Sequence, residues 1–345
     1  MPSLRSSAID VIKGLAILSV ICLHSLSVHT LYGIAALFHL WQAVPVFIFL
    51  MGRNAASSLE RRGRRSVREL YSQEYLASRF DRSYVPFLLA FLATVVVTII
   101  TRTAHDDART IIAGLLVGTL PIDGPGNYFI SFVFEFAMVF PLVFWGLRRW
   151  PVATLLVCLA IELAFNLLAR GIGVLEKHPY IYDVCLARYL FLLALGGLLI
   201  RIPARRLLAA RWLWLGTLVS ATYLGLNSIE ASTGPLGASD WAPLSVFYTI
   251  FIVVLGISRF PSVARGWLPL GVAGLGRASY HIFLVQIIWF GLAVWPLNSV
   301  PALLGNLAVT LAAGVMFYRA MARMPLPTAA GLLARRHAAL DAAAP

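Results

Sequence analysis

Apolar segments of about 20 residues recur along the whole chain, and each is long enough to cross a bilayer as a helix. A soluble domain carries about 25% charged residues, whereas here 12% of the residues are charged and 60% are hydrophobic. The chain is therefore expected to be an all-α membrane protein, a polytopic bundle of about ten transmembrane helices. The expected spans are residues 8–29, 32–52, 83–101, 128–147, 152–169, 184–200, 212–228, 242–258, 279–297 and 302–320.

Basic residues are concentrated between alternate spans, and their distribution tests the number of spans. If the N-terminus lies in the cytoplasm, 22 of the 28 lysines and arginines fall in cytoplasmic segments and four fall outside. Cytoplasmic loops of membrane proteins carry such an excess. The asymmetry predicts ten spans with both termini in the cytoplasm. It also explains the net charge of +13 by topology and membrane-lipid contact, so we expect no nucleic-acid partner.

The segment TIIAGLLVGTLPIDGPGN (110–127) is apolar but too short to cross, and it ends in a turn rich in Gly and Pro. If it crossed, every later loop would change sides, so we expect a re-entrant or interfacial helix on the outer side. We expect one membrane domain, residues 1–322, and a disordered, Ala-rich cytoplasmic tail, residues 323–345. No A-x-A-like site follows the first apolar segment, which indicates a retained helix rather than a signal peptide.

The first span carries charged and titratable residues on one face. In the stretch KGLAILSVICLH, Lys13 and His24 are eleven positions apart, about three helical turns, so they share a face about 16 Å apart along the axis. Asp10 lies close to the same stripe. Ionisable groups inside a membrane usually face a bundle interior or a wet cavity. The pattern favours a site, although a Lys13–Asp10 ion pair and a His24 bonded to a neighbouring helix would explain the same residues.

Other polar groups in the spans give weaker signals. Glu135 and Glu162 are expected to be buried carboxylates, and Arg188 lies in the outer half of another span. A structural ion pair with Arg188 explains Glu135 as well as a functional role does. The three cysteines lie in apolar segments without metal-ligand spacing, and we expect no metal site. They are Cys22, Cys158 and Cys185.

The opening stretch RSSAIDVIKGLAILSVICLH resembles the first helix of the acyltransferase-3 family of membrane O-acyltransferases, which carries Asp, a basic residue, ten further residues and His. Arg is usual at the basic position, where this chain has Lys13. Many relatives append a soluble esterase-like domain, which we do not expect here. Later segments are similar to family motifs in the same order: AVPVFIFLMGRNA (43–55), SRFDRSYVPFLLAF (78–91), NYFISFVFEFAMVFPLVF (127–144) and LGRASYHIFLVQ (275–286).

The resemblance implies an O-acyltransferase, expected to be an O-acetyltransferase, of a bacterial inner membrane. It would transfer an acyl group from cytoplasmic acyl-CoA, expected to be acetyl-CoA, to a hydroxyl of an extracytoplasmic or lipid-linked carbohydrate. His24 would be the general base, and Glu135 would orient it or bind the acceptor. Donor phosphates are assigned to the basic residues Lys13, Arg53, Arg79 and Arg82. Acceptor binding is assigned to Asp10, Asn127, Arg188, Tyr280 and Gln286.

Two other functions fit parts of the pattern. An acyltransferase of this kind could modify a small natural product, such as a macrolide, instead of a carbohydrate. A transporter or flippase would also have about ten spans, a re-entrant segment and charges in the membrane, although the sequence shows no inverted repeat. Consumption of acyl-CoA with release of free thiol distinguishes the enzymes from a transporter, which moves an unmodified solute.

Overall fold

The computed structural model describes residues 4–63, 66–101, 108–171, 179–233, 242–263, 267–292 and 298–324. Every regular element in these ranges is helical, as the sequence predicted. Sixteen α-helices are present in the described residues: Leu4–Ser25 (α1), Val28–Gly33 (α2), Ala43–Arg61 (α3), Val67–Leu70 (α4), Gln73–Arg79 (α5), Val85–Thr101 (α6), Ala108–Val117 (α7), Tyr128–Arg149 (α8), Pro151–Gly171 (α9), Pro179–Val184 (α10), Leu190–Leu198 (α11), Ala204–Ala209 (α12), Arg211–Thr233 (α13), Ala242–Val263 (α14), Trp267–Leu292 (α15) and Val300–Arg323 (α16). Tighter 3-10 turns lie at Ala36–Phe38, Leu186–Tyr189 and Leu199–Arg201, and a wider π-helical turn lies at Phe80–Tyr84.

Seven helical segments of the described chain are long and apolar enough to cross a membrane. They are Ser7–Ser25, Ala36–Arg61, Val67–Thr101, Tyr128–Arg149, Pro151–Ala169, Pro243–Phe260 and Val300–Arg323. Each overlaps one of the expected spans, which confirms a polytopic helical membrane protein. The count of ten spans and the cytoplasmic position of both termini stay predictions from the charge distribution.

Two further expected spans are continuous helices of sufficient length. α13 has 23 residues and α15 has 26, so each covers more than the roughly 30 Å of a hydrocarbon core. The polar residues of α15 include Arg277, Tyr280 and Gln286.

The expected span 184–200 is not one continuous helix. Cys185 is extended, a 3-10 turn follows, and α11 has only nine residues, about 14 Å of helix. The break leaves backbone N–H groups without helical partners, and two carboxylates, one half-buried and one fully buried, accept from them. Glu135 accepts from the Leu186 N–H at 2.6 Å, and Glu162 accepts from the Phe191 N–H at 2.8 Å. Non-helical backbone at membrane depth needs such internal partners.

The segment that the sequence predicted to be too short to cross contains α7. This helix has ten residues, about 15 Å of helix. The turns that follow include Gly118 and Gly126, with φ of 93° and 87°, a conformation that glycine adopts at little cost. These turns connect α7 to the start of α8. The tail beyond residue 324 lies outside the described residues.

Helix α1 lies inside the bundle and packs most extensively on α15, with further contacts to α3, α14 and α16. The close approach to α15 depends on two glycines. A Cβ atom on Gly14 would lie 2.1 Å from the Val272 carbonyl oxygen, and one on Gly276 would lie 1.8 Å from the Asp10 carbonyl oxygen. Small residues let helix backbones approach in membranes. Lys13 is next to Gly14 in the chain, so this contact holds the face of α1 that carries Lys13 and His24 beside α15.

A second glycine contact brings α3 against α11. A Cβ atom on Gly52 would lie 2.1 Å from the Leu193 carbonyl oxygen, and one on Gly196 would lie 2.2 Å from that of Phe49. Helix α3 therefore lies between α1 and α11, with Phe49 fully buried. The remaining face of α3 and the stripe of α1 border the same internal space.

Candidate functional site

A cavity of about 1070 Å³ runs between α1, α3, α8 and α15 and reaches the π-helical turn before α6. From α1 it is lined by one helix face in steps of three and four residues, and by two residues that flank this face. The face carries Asp10, Lys13, Ile17, Val20 and His24, and the flanking residues are Ile9 and Leu23. The stripe that the sequence predicted therefore faces a cavity. A purely structural role, with a Lys13–Asp10 ion pair and a His24 bonded to a neighbouring helix, would not require one.

His24 lies on the cavity wall near the end of α1. Its ring makes an edge contact with Phe290 of α15, with centroids 5.9 Å apart. Among the described residues, neither ring nitrogen has a hydrogen-bond partner. A neutral imidazole offers one donor and one acceptor nitrogen, so this ring can bind a hydroxyl group that enters the cavity.

Lys13 lies at the other end of the stripe and shares an acidic partner with a residue of α15. Its Nζ is 3.9 Å from Asp10 Oδ1, and Arg277 Nη1 is 3.8 Å from Asp10 Oδ2. Both separations are longer than hydrogen bonds. The expected Lys13–Asp10 pair is thus present as a loose ion pair, and the Lys13 ammonium still faces the cavity.

The cavity end near Lys13 is rich in guanidinium groups. Arg53, Arg61, Arg79 and Arg82 all line it. Arg79 lies over the rings of Tyr75 and Phe136, at 5.2 and 5.6 Å from their centroids. The only acidic side chain of α3 at this end, Glu60, is bonded to Arg201 at 2.9 Å. This end of the cavity therefore suits a ligand with several negative charges.

Tyr280 and Ser83 close the cavity between α15 and the π-helical turn, and both line it. The Tyr280 hydroxyl donates to the Ser83 carbonyl oxygen at 2.9 Å. π-Helical turns leave carbonyl groups outside the regular helical ladder and occur often at functional sites. Here the turn also carries Arg82 to the cavity wall.

The end of the cavity near His24 is apolar and aromatic. Trp41, Tyr128 and Phe129 line it together with Val28 and Leu31. Asn127, predicted to bind the acceptor, lies next to this wall but does not line it. Its side-chain amide donates to the carbonyl oxygens of Leu120 and Ile122 and accepts from the Leu120 N–H. Through these bonds Asn127 stabilises the loop before α8.

Glu135 and Arg188 do not line the cavity, and the structure does not pair them with each other. Arg188 forms an ion pair with Asp183 and lies over the rings of Tyr182 and Tyr189, at 4.4 and 5.2 Å from their centroids. Glu135 bonds the backbone at the break before α11, as described above. Both side chains therefore support the discontinuous segment rather than His24.

Gln286 is completely buried in α15 and does not line the cavity. Within the described chain, neither its amide oxygen nor its amide nitrogen has a hydrogen-bond partner. The structure therefore separates Gln286 from the seven assigned residues that meet on the cavity wall. Those seven are Asp10, Lys13, His24, Arg53, Arg79, Arg82 and Tyr280.

The sequence reasoning gave no site role to Arg277, which lies beside Asp10, or to Tyr128, which lines the cavity. Arg277 was counted only as a cytoplasmic cation, although it precedes Tyr280 by three positions and so shares its helix face. Tyr128 adjoins Asn127 at the start of α8, and only the fold shows which of the two faces the cavity. In the described part of the chain, no group of three or more His, Cys, Asp or Glu could hold a metal ion.

A bundle with a cavity of this kind defines an integral membrane protein with an internal site. Its sequence matches the family model described as an acyltransferase domain over residues 6–319. The chain therefore belongs to the acyltransferase-3 family, and it is a membrane acyltransferase by family. Comparison with curated proteins gave no match, and comparison with solved structures gave none.

Proposed function

We propose that the protein is an O-acyltransferase, and specifically an O-acetyltransferase, of a bacterial inner membrane. It takes the acyl group from cytoplasmic acetyl-CoA and transfers it to a hydroxyl of an extracytoplasmic or lipid-linked carbohydrate. One observation carries this proposal: Lys13 and His24 line the same cavity wall, about 16 Å apart along α1. A long donor can therefore have its phosphates at one end and its thioester near the other.

The residues of the cavity allow a simple reaction. A neutral His24 nitrogen accepts the proton of the acceptor hydroxyl as its oxygen attacks the thioester carbonyl. The tetrahedral intermediate collapses, the bond from carbon to sulfur breaks, and the CoA thiolate leaves. The imidazolium then returns the proton to the thiolate, so the products are an ester and free CoA. No redox partner is needed.

The basic end of the cavity would hold the donor. Arg53, Arg79 and Arg82 approach the same space as Lys13 from three further elements, α3, α5 and the π-helical turn. Guanidinium groups bind phosphates through paired, charge-assisted hydrogen bonds. Lysine in place of the arginine usual in the family keeps the charge at position 13 and gives up the paired geometry.

The choice of a carbohydrate acceptor rests on the family resemblance. The aromatic rings of Trp41, Tyr128 and Phe129 provide an apolar wall near His24 on which a ring-shaped acceptor can pack. A small natural product could use the same wall. Mass spectrometry of acyl esters in cells with and without the protein decides between these acceptors.

The test uses membranes that contain the full chain and acetyl-CoA labelled on the acetyl group. Wild-type membranes should release free CoA thiol and transfer label into a base-labile ester. His24→Gln should lower transfer at least about 100-fold, the lower end of what a general base contributes. His39→Gln is the matched control, because His39 is exposed and does not line the cavity.

Three outcomes count against parts of this proposal. Full transfer by a stably inserted His24→Gln variant removes the base role of His24. A wild-type protein that never consumes acetyl-CoA or other acyl-CoA donors removes the acyltransferase activity. Movement of an unmodified solute through proteoliposomes, without thiol release, would favour the transporter.

A further inference from the structure

A second cavity of about 580 Å³ adjoins the first and opens between the start of α6, the middle of α15 and the end of α16. The two cavities share four lining residues, Lys13, Arg82, Ser279 and Tyr280. This second cavity, the side pocket, therefore meets the main cavity at its basic end. The assignments made above give no role to the rest of this pocket, including Arg277.

The side pocket has an excess of positive charge. Three cations, Lys13, Arg82 and Arg277, line it with one carboxylate, Asp81. The side chain of Arg277 is 51% exposed, and its closest acidic partner, Asp10, is 3.8 Å away. That distance is beyond a hydrogen bond, so the fork of N–H donors on Arg277 is available to a ligand.

Most of the remaining wall of the side pocket is apolar and adaptable. Val85, Pro86, Met321, Met324 and the ring of Tyr318 form it, and His281 adds one polar ring. Methionine side chains adjust to flat ligands and make favourable contacts with aromatic rings. The pocket thus joins a phosphate-binding cation to a surface that suits an aromatic base.

We propose that the side pocket binds the 3′-phosphoadenosine end of the CoA donor, an inference that rests on the proposed function. The parts of CoA follow the order base, ribose 3′-phosphate, pyrophosphate, pantetheine arm and thioester. The cavity walls follow a matching order: the methionine wall and Arg277, then Lys13 and Arg82 at the junction, then the main cavity up to His24.

In this arrangement Arg277 is the residue that binds only the 3′-phosphate. It lines the side pocket and not the main cavity, whereas Lys13 and Arg82 line both. A guanidinium group binds a phosphate monoester through two parallel hydrogen bonds. Removing the 3′-phosphate and removing the Arg277 side-chain charge should therefore abolish the same contact, the one between Arg277 and the 3′-phosphate.

The experiment measures dissociation constants of CoA and 3′-dephospho-CoA for the purified full chain in phosphatidylcholine nanodiscs. The wild type should bind CoA about 10-fold more tightly than 3′-dephospho-CoA, as expected for one charge-assisted contact. Arg277→Gln should weaken CoA binding by about the same factor, leave 3′-dephospho-CoA binding unchanged and bring the ratio close to one. Arg277→Lys should keep part of the preference.

Arg319→Gln is the matched control, because Arg319 is an exposed arginine of α16 that does not line the side pocket. Its ratio should equal that of the wild type. A folded Arg277→Gln protein that keeps the wild-type ratio overturns this inference alone. A wild-type protein that binds neither CoA nor acetyl-CoA overturns the proposed function as well.

An anionic lipid headgroup carries the same phosphate chemistry and could occupy the pocket instead. Nanodiscs with and without phosphatidylglycerol separate the two sources. If phosphatidylglycerol competes with CoA in the wild type but not in Arg277→Gln, and the 3′-phosphate has no effect, the pocket binds lipid and the inference is overturned. Unchanged CoA ratios in both kinds of nanodisc support the nucleotide.

Discussion

The Tyr280 hydroxyl donates a hydrogen bond of 2.9 Å to the carbonyl oxygen of Ser83, where the main cavity meets the side pocket. The bond fixes α15 to the π-helical turn that carries Arg82. The hydroxyl of Tyr280 therefore helps to hold the turn, and with it Arg82, against α15.

Tyr280→Phe should lower both stability and donor affinity. Loss of one hydrogen bond costs about 1 kcal/mol of unfolding free energy, and the released turn should weaken CoA binding several-fold. Tyr248→Phe is the control, because the Tyr248 hydroxyl donates a similar 3.0 Å bond to the Phe38 carbonyl oxygen away from the cavity. Thermal unfolding and CoA titration of both variants are the measurements. Equal effects on CoA binding would show that the Tyr280 bond has no particular link to the donor.

The stripe on α1 could be predicted from the sequence because one helix contains all of it. A helix has a fixed angular step, so Asp10, Lys13 and His24 share a face whatever the rest of the chain does. The cost of burying such groups then requires that the face meet a cavity or polar partners. The sequence could not show that Gly276 of α15 packs against the Asp10 carbonyl group of the same helix.

The roles of Glu135 and Arg188 could not be predicted, because they depend on a helix break that the hydropathy of the segment does not reveal. Residues 184–200 are apolar enough to suggest a continuous span. The break creates free N–H groups, and Glu135 turns to one of them, while Arg188 pairs with Asp183 from the preceding short helix. The partners of Glu135 and Arg188 are therefore determined by the neighbouring residues in the fold and not by sequence spacing.

Position 13 provides a second test, because the resemblance to the family predicts arginine there. Lys13→Gln removes one cation from the junction of the two cavities and should weaken CoA binding about 10-fold. Lys13→Arg keeps the charge and adds a paired donor geometry, so it should bind CoA at least as tightly as the wild type. CoA titration compares the three proteins. Equal binding by Lys13→Gln and the wild type would remove Lys13 from the donor site.

Gln286 gives a prediction about a residue that the sequence assigned to the acceptor. Its amide is buried and lacks partners among the described residues, so Gln286→Met should leave stability unchanged or raise it, with CoA binding intact. Asn306→Leu is the contrasting variant. The Asn306 amide donates to Ser25 Oγ at 3.0 Å and accepts from Trp289 Nε1 at 2.9 Å, so its loss should cost about 2 kcal/mol or more. A comparable loss for Gln286→Met would show that its amide is bonded after all.

The last prediction concerns the contact of Gly276 with α1, which positions the face that carries Lys13 and His24. A Cβ atom on Gly276 would lie 1.8 Å from the Asp10 carbonyl oxygen and 3.0 Å from the Gly14 nitrogen. Both neighbours are backbone atoms, which cannot rotate away as a side chain can. Gly276→Ala must therefore push α1 from α15, at a cost of about 1–3 kcal/mol, and it should weaken CoA binding because Lys13 moves with α1.

Gly271→Ala is the matched control on the same helix. A Cβ atom there meets nothing within 4 Å, and alanine favours the helix over glycine by about 1 kcal/mol. Thermal unfolding in detergent should therefore show a lower Tm for Gly276→Ala and an equal or higher Tm for Gly271→Ala. Equal Tm values and equal CoA binding for the two variants would mean that α1 is not held by this crossing. In that case the direction of its Lys13–His24 face would need another cause.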